Sequence, residues 1–187
     1  MSENLDFLKG EVLLFDKPYK WTSFELVRYV KEKIINYFPY LKKIKIGHAG
    51  TLDPLATGLL IVCTGQATKK IEYFQSLKKE YFADIRFGAT TPSFDLEKDF
   101  DRFYEYEHIT KEKVEEILKK FIGEIEQIPP IFSAKNIEGK RAYEYARSGI
   151  NVELKPSKVI IYNIELIKFN LPDVTLKITC SKGTYIR

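Results

Sequence analysis

At 187 residues the chain is long enough for one compact domain with a core of its own. Its composition, 44% hydrophobic and 30% charged, is that of a globular protein, and its longest apolar run, about Leu59 to Cys63, is far too short to span a bilayer. With 30 basic against 26 acidic residues the net charge is +4, and with only His48 and His108 as histidines and no metal-ligand spacing, no metal site is expected.

Met1 to Gly10 carries Glu3 and Asp6 and lacks an apolar h-region, so no signal peptide is expected and the chain reads as cytoplasmic. Glu11 to Phe15 is a short strand running into a turn at Asp16-Lys17-Pro18. Thr22 and Glu25 have the spacing of a capping box, and Trp21 and Leu26 that of a hydrophobic staple. A helix therefore starts there, with Phe24, Val27, Val30, Ile34 and Phe38 inward, and Pro39 stops it. A Gly- and Pro-punctuated loop follows from Lys42, then a buried strand over Leu59 to Cys63 and a helix over Ala67 to Leu77. Tyr81, Ala83, Ile85 and Phe87 alternate as one face of a strand. The acidic stretch after Gly88 reads as an exposed connection. Thr110 caps a helix with Val114, Ile117, Leu118 and Phe121 inward, ended by Gly123. Pro129-Pro130 is extended, Lys140 to Ser148 is a short helix, and Val159 to Phe169 and Val174 to Cys180 are strands joined at Pro172-Asp173. Cys63 and Cys180 each lie in an apolar run and are expected to be reduced core residues. The sequence stops at Arg187, straight after Gly183-Thr184-Tyr185-Ile186, and reads as incomplete at this end.

Charge is unevenly distributed. Acid gathers between Asp95 and Glu107, while base gathers at Lys42, Lys43 and Lys45, at Lys69 and Lys70, and at Lys135, Lys140, Arg141 and Arg147. This permits a one-sided positive surface for a phosphate backbone, although by charge alone a lysine-rich solvated surface comes first. The stretch with chemical content is Gly47-His48-Ala49-Gly50-Thr51-Leu52-Asp53-Pro54-Leu55-Ala56-Thr57-Gly58. Pro54 restricts Asp53 to extended geometry, and a carboxylate on a stiff loop at the mouth of a core strand suits a nucleophile. By pattern alone, an Asp-Pro turn without chemistry is an even alternative.

That whole stretch resembles the catalytic motif of TruB-type tRNA pseudouridine synthases. Other segments resemble the family in the same order along the chain. They are Gly10 to Pro18, Gly65-Gln66-Ala67-Thr68-Lys69, Lys79-Glu80-Tyr81, Ile128 to Lys135, Tyr143 to Arg147, and Ser181 to Arg187, the last matching the strand that bears the family tyrosine and arginine. Thr90-Thr91-Pro92-Ser93-Phe94-Asp95 replaces a more acidic family pattern, and the parts that follow Arg187 in the family, usually including a small RNA-binding domain, are absent.

The resemblance implies an α+β fold, a mixed and largely antiparallel sheet with flanking helices. It reads residues 1–187 as a C-terminally incomplete catalytic domain, with an RNA-gripping insertion at about 127–157. It implies conversion of uridine 55 in the tRNA T-arm to pseudouridine after base flipping. No atom is gained or lost, so no cofactor or metal is required, and no membrane or obligatory protein partner is expected. Asp53 is implied as the attacking residue, Arg187 as its cationic partner, and Tyr81 as stacking on the uracil or moving a proton. Tyr185 is expected to pack against the base and His48 to fill the space the flipped base leaves. The remaining expected substrate contacts are Lys17, Lys69, Lys135, Arg141 and Arg147, with Lys17, in a tight turn, leaning structural. Two other readings stand beside this one: a guide-RNA-dependent relative, and a non-catalytic RNA-binding or RNA-folding module. An unrelated α+β domain with a basic face is the plainest.

Overall fold

The computed structural model describes residues 5–133, 135–137, 139–142, 145, 148, 150 and 154–187. The chain falls into two compact units, Met1–Leu77 and Lys78–Arg187.

In the first unit, strand β1 (Val12–Lys17) runs two residues beyond the expected strand, so that Lys17 closes it rather than sitting in the turn. Helix α1 (Ser23–Tyr37) starts where the capping signals place it: Glu25 N–H donates to Thr22 Oγ1 at 3.1 Å, and Thr22 N–H donates back to Glu25 Oε2 at 2.7 Å. Its buried stripe is Leu26, Val27, Val30 and Ile34. Phe24, expected inward, is 69% exposed, because at 3.6 residues per turn it lies roughly 100° of arc from the centre of that stripe. The loop after Pro39 holds β2 (Ile46–His48), too short to show alternation. Strand β3 (Gly58–Thr64) pairs antiparallel with both others, giving the order β1-β3-β2. Leu60 and Val62 of β3 share one core cluster with the inner face of α1, and Trp21 packs against it. Each such aliphatic side chain, fully buried, contributes about 1.5–3 kcal/mol. The helix expected from Ala67 is a 3-10 turn over Gly65–Lys70 followed by α2 (Ile71–Ser76). Gly65 has φ +48°, and a Cβ there would lie 2.2 Å from the Leu8 carbonyl oxygen, so this backbone crossing admits only glycine.

In the second unit, β4 (Lys79–Arg86) is followed by a two-stranded pair, β5 (Ala89–Thr90) and β6 (Arg102–Phe103). The stretch after Gly88 is thus not wholly an exposed connection: Thr91 and Ser93 are buried, their hydroxyls held by backbone oxygen. Helix α3 (Lys111–Lys119) is capped by Thr110 and buries Val114, with Leu118 packed on the core. Ile117 and Phe121, both expected inward, are 44% and 47% exposed, Phe121 lying past the helix end. Gly123 does not end the helix but opens a strand that the apolar pattern does not show, β7 (Gly123–Gln127). The short strands β8 (Asn136–Ile137) and β9 (Lys140–Arg141) pair with each other, so Lys140 and Arg141 are extended rather than helical. Strands β10 (Ser157–Asn170) and β11 (Asp173–Cys180) complete a sheet of order β4-β11-β10-β7. Beyond Cys180 the chain leaves the sheet in a turn, so Ser181 to Arg187 is not the expected strand. The core holds Ile161, Leu176, Ile178 and Cys180, against which Tyr81 and Ala83 pack. Every strand pairing among the described residues is antiparallel, an α+β architecture of the expected kind. Both cysteines are buried and unbridged, as expected for reduced core residues.

Candidate active site

Asp53 lies in the loop between β2 and β3 of the first unit and is half-buried. Both its neighbours are gripped through their backbones. Leu52 N–H donates to Ser23 Oγ at 2.9 Å, and the same hydroxyl lies 3.2 Å from the Leu52 carbonyl oxygen. On the other side, the Pro54 carbonyl accepts from Lys20 N–H at 2.9 Å and from Lys17 Nζ at 3.2 Å. The Asp53 carbonyl accepts from Ala56 N–H at 3.0 Å, which closes a turn, and Asp16 Oδ1 accepts from Gly58 N–H at 2.9 Å where the loop rejoins the sheet. Six hydrogen bonds within one unit therefore fix the backbone that carries this carboxylate.

Lys17 sits beneath the loop. Its side chain is fully buried, and its ammonium donates to the carbonyls of Pro18, Trp21 and Pro54. Expected as a substrate contact with a structural alternative, it takes the structural role: an ammonium enclosed by three carbonyls does not reach a phosphate. Burial lowers its pKa, and the opposing influences are the negative charges of Asp53 and Glu25. Since Coulomb attraction is mutual, Lys17 is a cation from the same unit that acts on the Asp53 carboxylate, a part the sequence reading gave to Arg187 alone.

His48, on β2, has Nδ1 2.5 Å from the Gly50 carbonyl oxygen. A carbonyl only accepts, so Nδ1 carries the proton and the neutral ring keeps Nε2 as an acceptor. Gly50, at φ +132°, makes the bend that brings this carbonyl back. Lys69 is exposed at the end of the 3-10 turn.

The second unit contains Tyr81, Tyr185 and Arg187. Tyr81 is half-buried on the core side of β4, opposite Ile178 of β11. Tyr185 is held by the side-chain amide of Gln127 at the end of β7. Gln127 Nε2 donates to the Tyr185 carbonyl at 2.8 Å, and Tyr185 N–H donates to Gln127 Oε1 at 2.9 Å. This imitates a sheet pairing past the point where the strand has ended. Arg187 Nη1 donates to Asp95 Oδ2 at 2.7 Å, and Nη2 donates to the Phe132 carbonyl. Asp95 is itself fixed: its carbonyl accepts from the buried Thr91 and Ser93 hydroxyls, and its other carboxylate oxygen from Glu97 N–H. Lys135, expected on RNA, has its ammonium on the Lys155 carbonyl at 3.0 Å and on Ser157 Oγ at 2.8 Å, which ties residue 135 to the C-terminal end of the expected insertion. Arg141 is placed on β9, and Arg147 lies outside the described residues. Among the described residues no group of three or more His, Cys, Asp or Glu side chains is placed to hold a metal ion, and no helix is long and apolar enough to cross a membrane.

Ser23, Lys20, Gln127 and Asp95 were missed as site residues. The first three act through backbone groups of distant segments, which no local pattern reveals. Asp95 had a signal, as the acidic member of a buried Thr-x-Ser-x-Asp loop.

One loop thus fixes one aspartate, and comparison with known proteins decides the family. The profile described as TruB family pseudouridylate synthase (N terminal domain) matches residues 39–186. The chain belongs to this family. It is 60% identical over 183 residues to a protein named tRNA pseudouridine synthase B from Phocaeicola vulgatus, covering 98% of this chain and 77% of that one. A protein of the same name from Flavobacterium johnsoniae is 50% identical over 182 residues, covering 97% of this chain and 80% of its own length. Among solved structures, a Cbf5-Nop10-Gar1 complex superposes with a TM-score of 0.67 at 28% identity, and an H/ACA ribonucleoprotein bound to a substrate RNA with 0.60 at 26%. Each covers 97% of this chain, which spans only 42% and 41% of those chains.

Proposed function

We propose that this TruB-family enzyme converts uridine to pseudouridine in tRNA, and that its target is uridine 55 in the loop of the T-arm. The target leaves its stack at a cost of a few kcal/mol, lower in a loop than in a duplex. The base then departs from C1′, turns, and rejoins through C5. The isomerisation conserves every atom and asks for no cofactor or metal.

The observation that carries the reading is the grip on both neighbours of Asp53, in the loop whose sequence resembles the family's catalytic motif. A carboxylate that attacks a nucleotide needs fixed direction more than reach, and effective concentration falls steeply when the attacking group wanders. Tyr81 is proposed to stack on the uracil or move its proton, and Tyr185 to pack against the base. Arg187 is proposed to hold the reacting carboxylate ionised; in support, its guanidinium is already oriented by Asp95 and the Phe132 carbonyl. Lys69, exposed and basic, is proposed as a phosphate contact, and His48 as the residue that takes the place of the flipped base.

The test is tritium release from labelled uridine in a T-arm hairpin and in a whole tRNA transcript, without guide RNA or added protein. Asp53→Asn should abolish release and leave tRNA binding intact. Equal product from both forms sinks the reading, and product only with a guide RNA replaces it by the guide-dependent alternative.

A further inference from the structure

We infer that Ser23, the first residue of α1, is a positioning residue for Asp53, an inference that rests on the proposed role of that carboxylate. Ser23 is 2% exposed, and its Oγ lies 2.9 Å from the amide nitrogen and 3.2 Å from the carbonyl oxygen of Leu52. One hydroxyl thereby meets both polar groups of the residue before Asp53, accepting from one and donating to the other. Helix capping does not account for this. Thr22 provides the N-terminal side-chain cap through its own hydroxyl, with Glu25 closing the box, and the Ser23 hydroxyl takes no part in it.

The arrangement is two-sided. Beyond Asp53, the Pro54 carbonyl is held by Lys20 N–H and Lys17 Nζ. Removing Lys17 would also remove a charge near Asp53 and a filled core position. Removing the Ser23 oxygen subtracts one tether and no charge, in a space alanine fits. The backbone on the Leu52 side of Asp53 would then lose its tether, while the bonds to the Asp53 and Pro54 carbonyls remain, and the direction of the carboxylate would be less tightly set. A displacement of about 1 Å in an attacking group is enough to cost on the order of 100-fold in rate without altering how substrate binds elsewhere.

The experiment compares the full chain with Ser23→Ala and with Ser23→Cys, which nearly keeps the shape but bonds more weakly. Amide hydrogen exchange at Leu52 needs no RNA. It should quicken about tenfold in Ser23→Ala and by less in Ser23→Cys. On a T-arm hairpin, kcat should fall between about 10- and 100-fold in Ser23→Ala, with KM and tRNA Kd unchanged and Ser23→Cys intermediate. Unchanged Leu52 exchange overturns the tether. Unchanged kcat, or kcat and tRNA binding lost together in step with the melting temperature, overturns the positioning role. If the unsubstituted chain forms no pseudouridine, the proposed function fails, and exchange at Leu52 and Asp53 still decides whether Ser23 orders the loop.

Discussion

Arg187 and Asp95, 92 residues apart in sequence, form an ion pair at 2.7 Å with side chains only 10% and 15% exposed. A pair this sheltered is costly to break from one side, because the remaining charge loses a close, charge-assisted hydrogen bond where water does not replace it. Asp95→Ala is expected to lower the stability of the chain by about 1.5–3 kcal/mol in urea denaturation. Asp95→Asn keeps an acceptor and should lose less stability, yet it should still slow turnover, since a neutral amide holds the guanidinium less firmly. Equal stability of the alanine variant and the parent would show that the pair contributes nothing.

Lys17 and Lys69 both carry an ammonium, and their removal should be read by different measurements, stability for one and salt dependence for the other. Lys17→Met removes the donor shared by three carbonyls and is expected to cost about 1–3 kcal/mol of stability. It should leave the salt dependence of tRNA binding unaltered. Lys69→Ala should leave the melt unaltered and reduce the slope of log K against log salt by about one. Filter binding of tRNA at several salt concentrations, beside thermal melts, separates the two.

Two glycines test how far backbone freedom differs from space. At Gly50, φ is +132° and a Cβ would meet nothing within 4 Å, so Gly50→Ala should cost only the conformational preference, about 1 kcal/mol. At Gly65 a Cβ would strike the carbonyl oxygens of Leu8 and Phe7 at 2.2 and 2.4 Å, so overpacking adds to the strain and Gly65→Ala should cost roughly 3 kcal/mol. Denaturant midpoints at constant m-value give the comparison.

Acidification should loosen the start of α1. The hydrogen bonds from Thr22 N–H and then from its hydroxyl hold the Glu25 carboxyl below its ordinary value of 4.5. A depressed carboxyl contributes stability above its unfolded value and loses it as pH falls through the folded one. The loss therefore begins near pH 4.5 and grows below it. Glu25→Gln should flatten this part of the stability–pH curve while leaving stability lower at neutral pH, as read by helix content and denaturant midpoint at pH 7 and near pH 3.5.

Helix α1, β3, β4 and the β10–β11 hairpin were legible because each shows a signal contained within itself: a capping box, an apolar run, or strict alternation. Strands β2 and β7 escaped because three residues show no period, and because Gly123-Glu124-Ile125-Glu126-Gln127 has one apolar side chain in five. Phe24 and Phe121 misled because a helical pattern locates a stripe only when its centre is known. The loop that carries Asp53 was legible, but the groups that hold that loop were not. Ser23 reaches Leu52 across 29 residues and Lys17 reaches Pro54 across 37, and contacts of that kind exist only in the folded chain. Lys17, which leaned structural in its tight turn, turns its ammonium toward backbone oxygen, and the Lys135 ammonium likewise meets the Lys155 carbonyl, a contact that no local pattern foretells.

Because Leu52 is gripped by its amide and carbonyl rather than by its side chain, what occupies position 52 and where the carboxylate points are separable properties. Randomising that position in a library is expected to vary the side chain beside Asp53 while the backbone that carries the carboxylate keeps its place. The same library at position 23 is expected to keep turnover best where the side chain can still bond the Leu52 backbone.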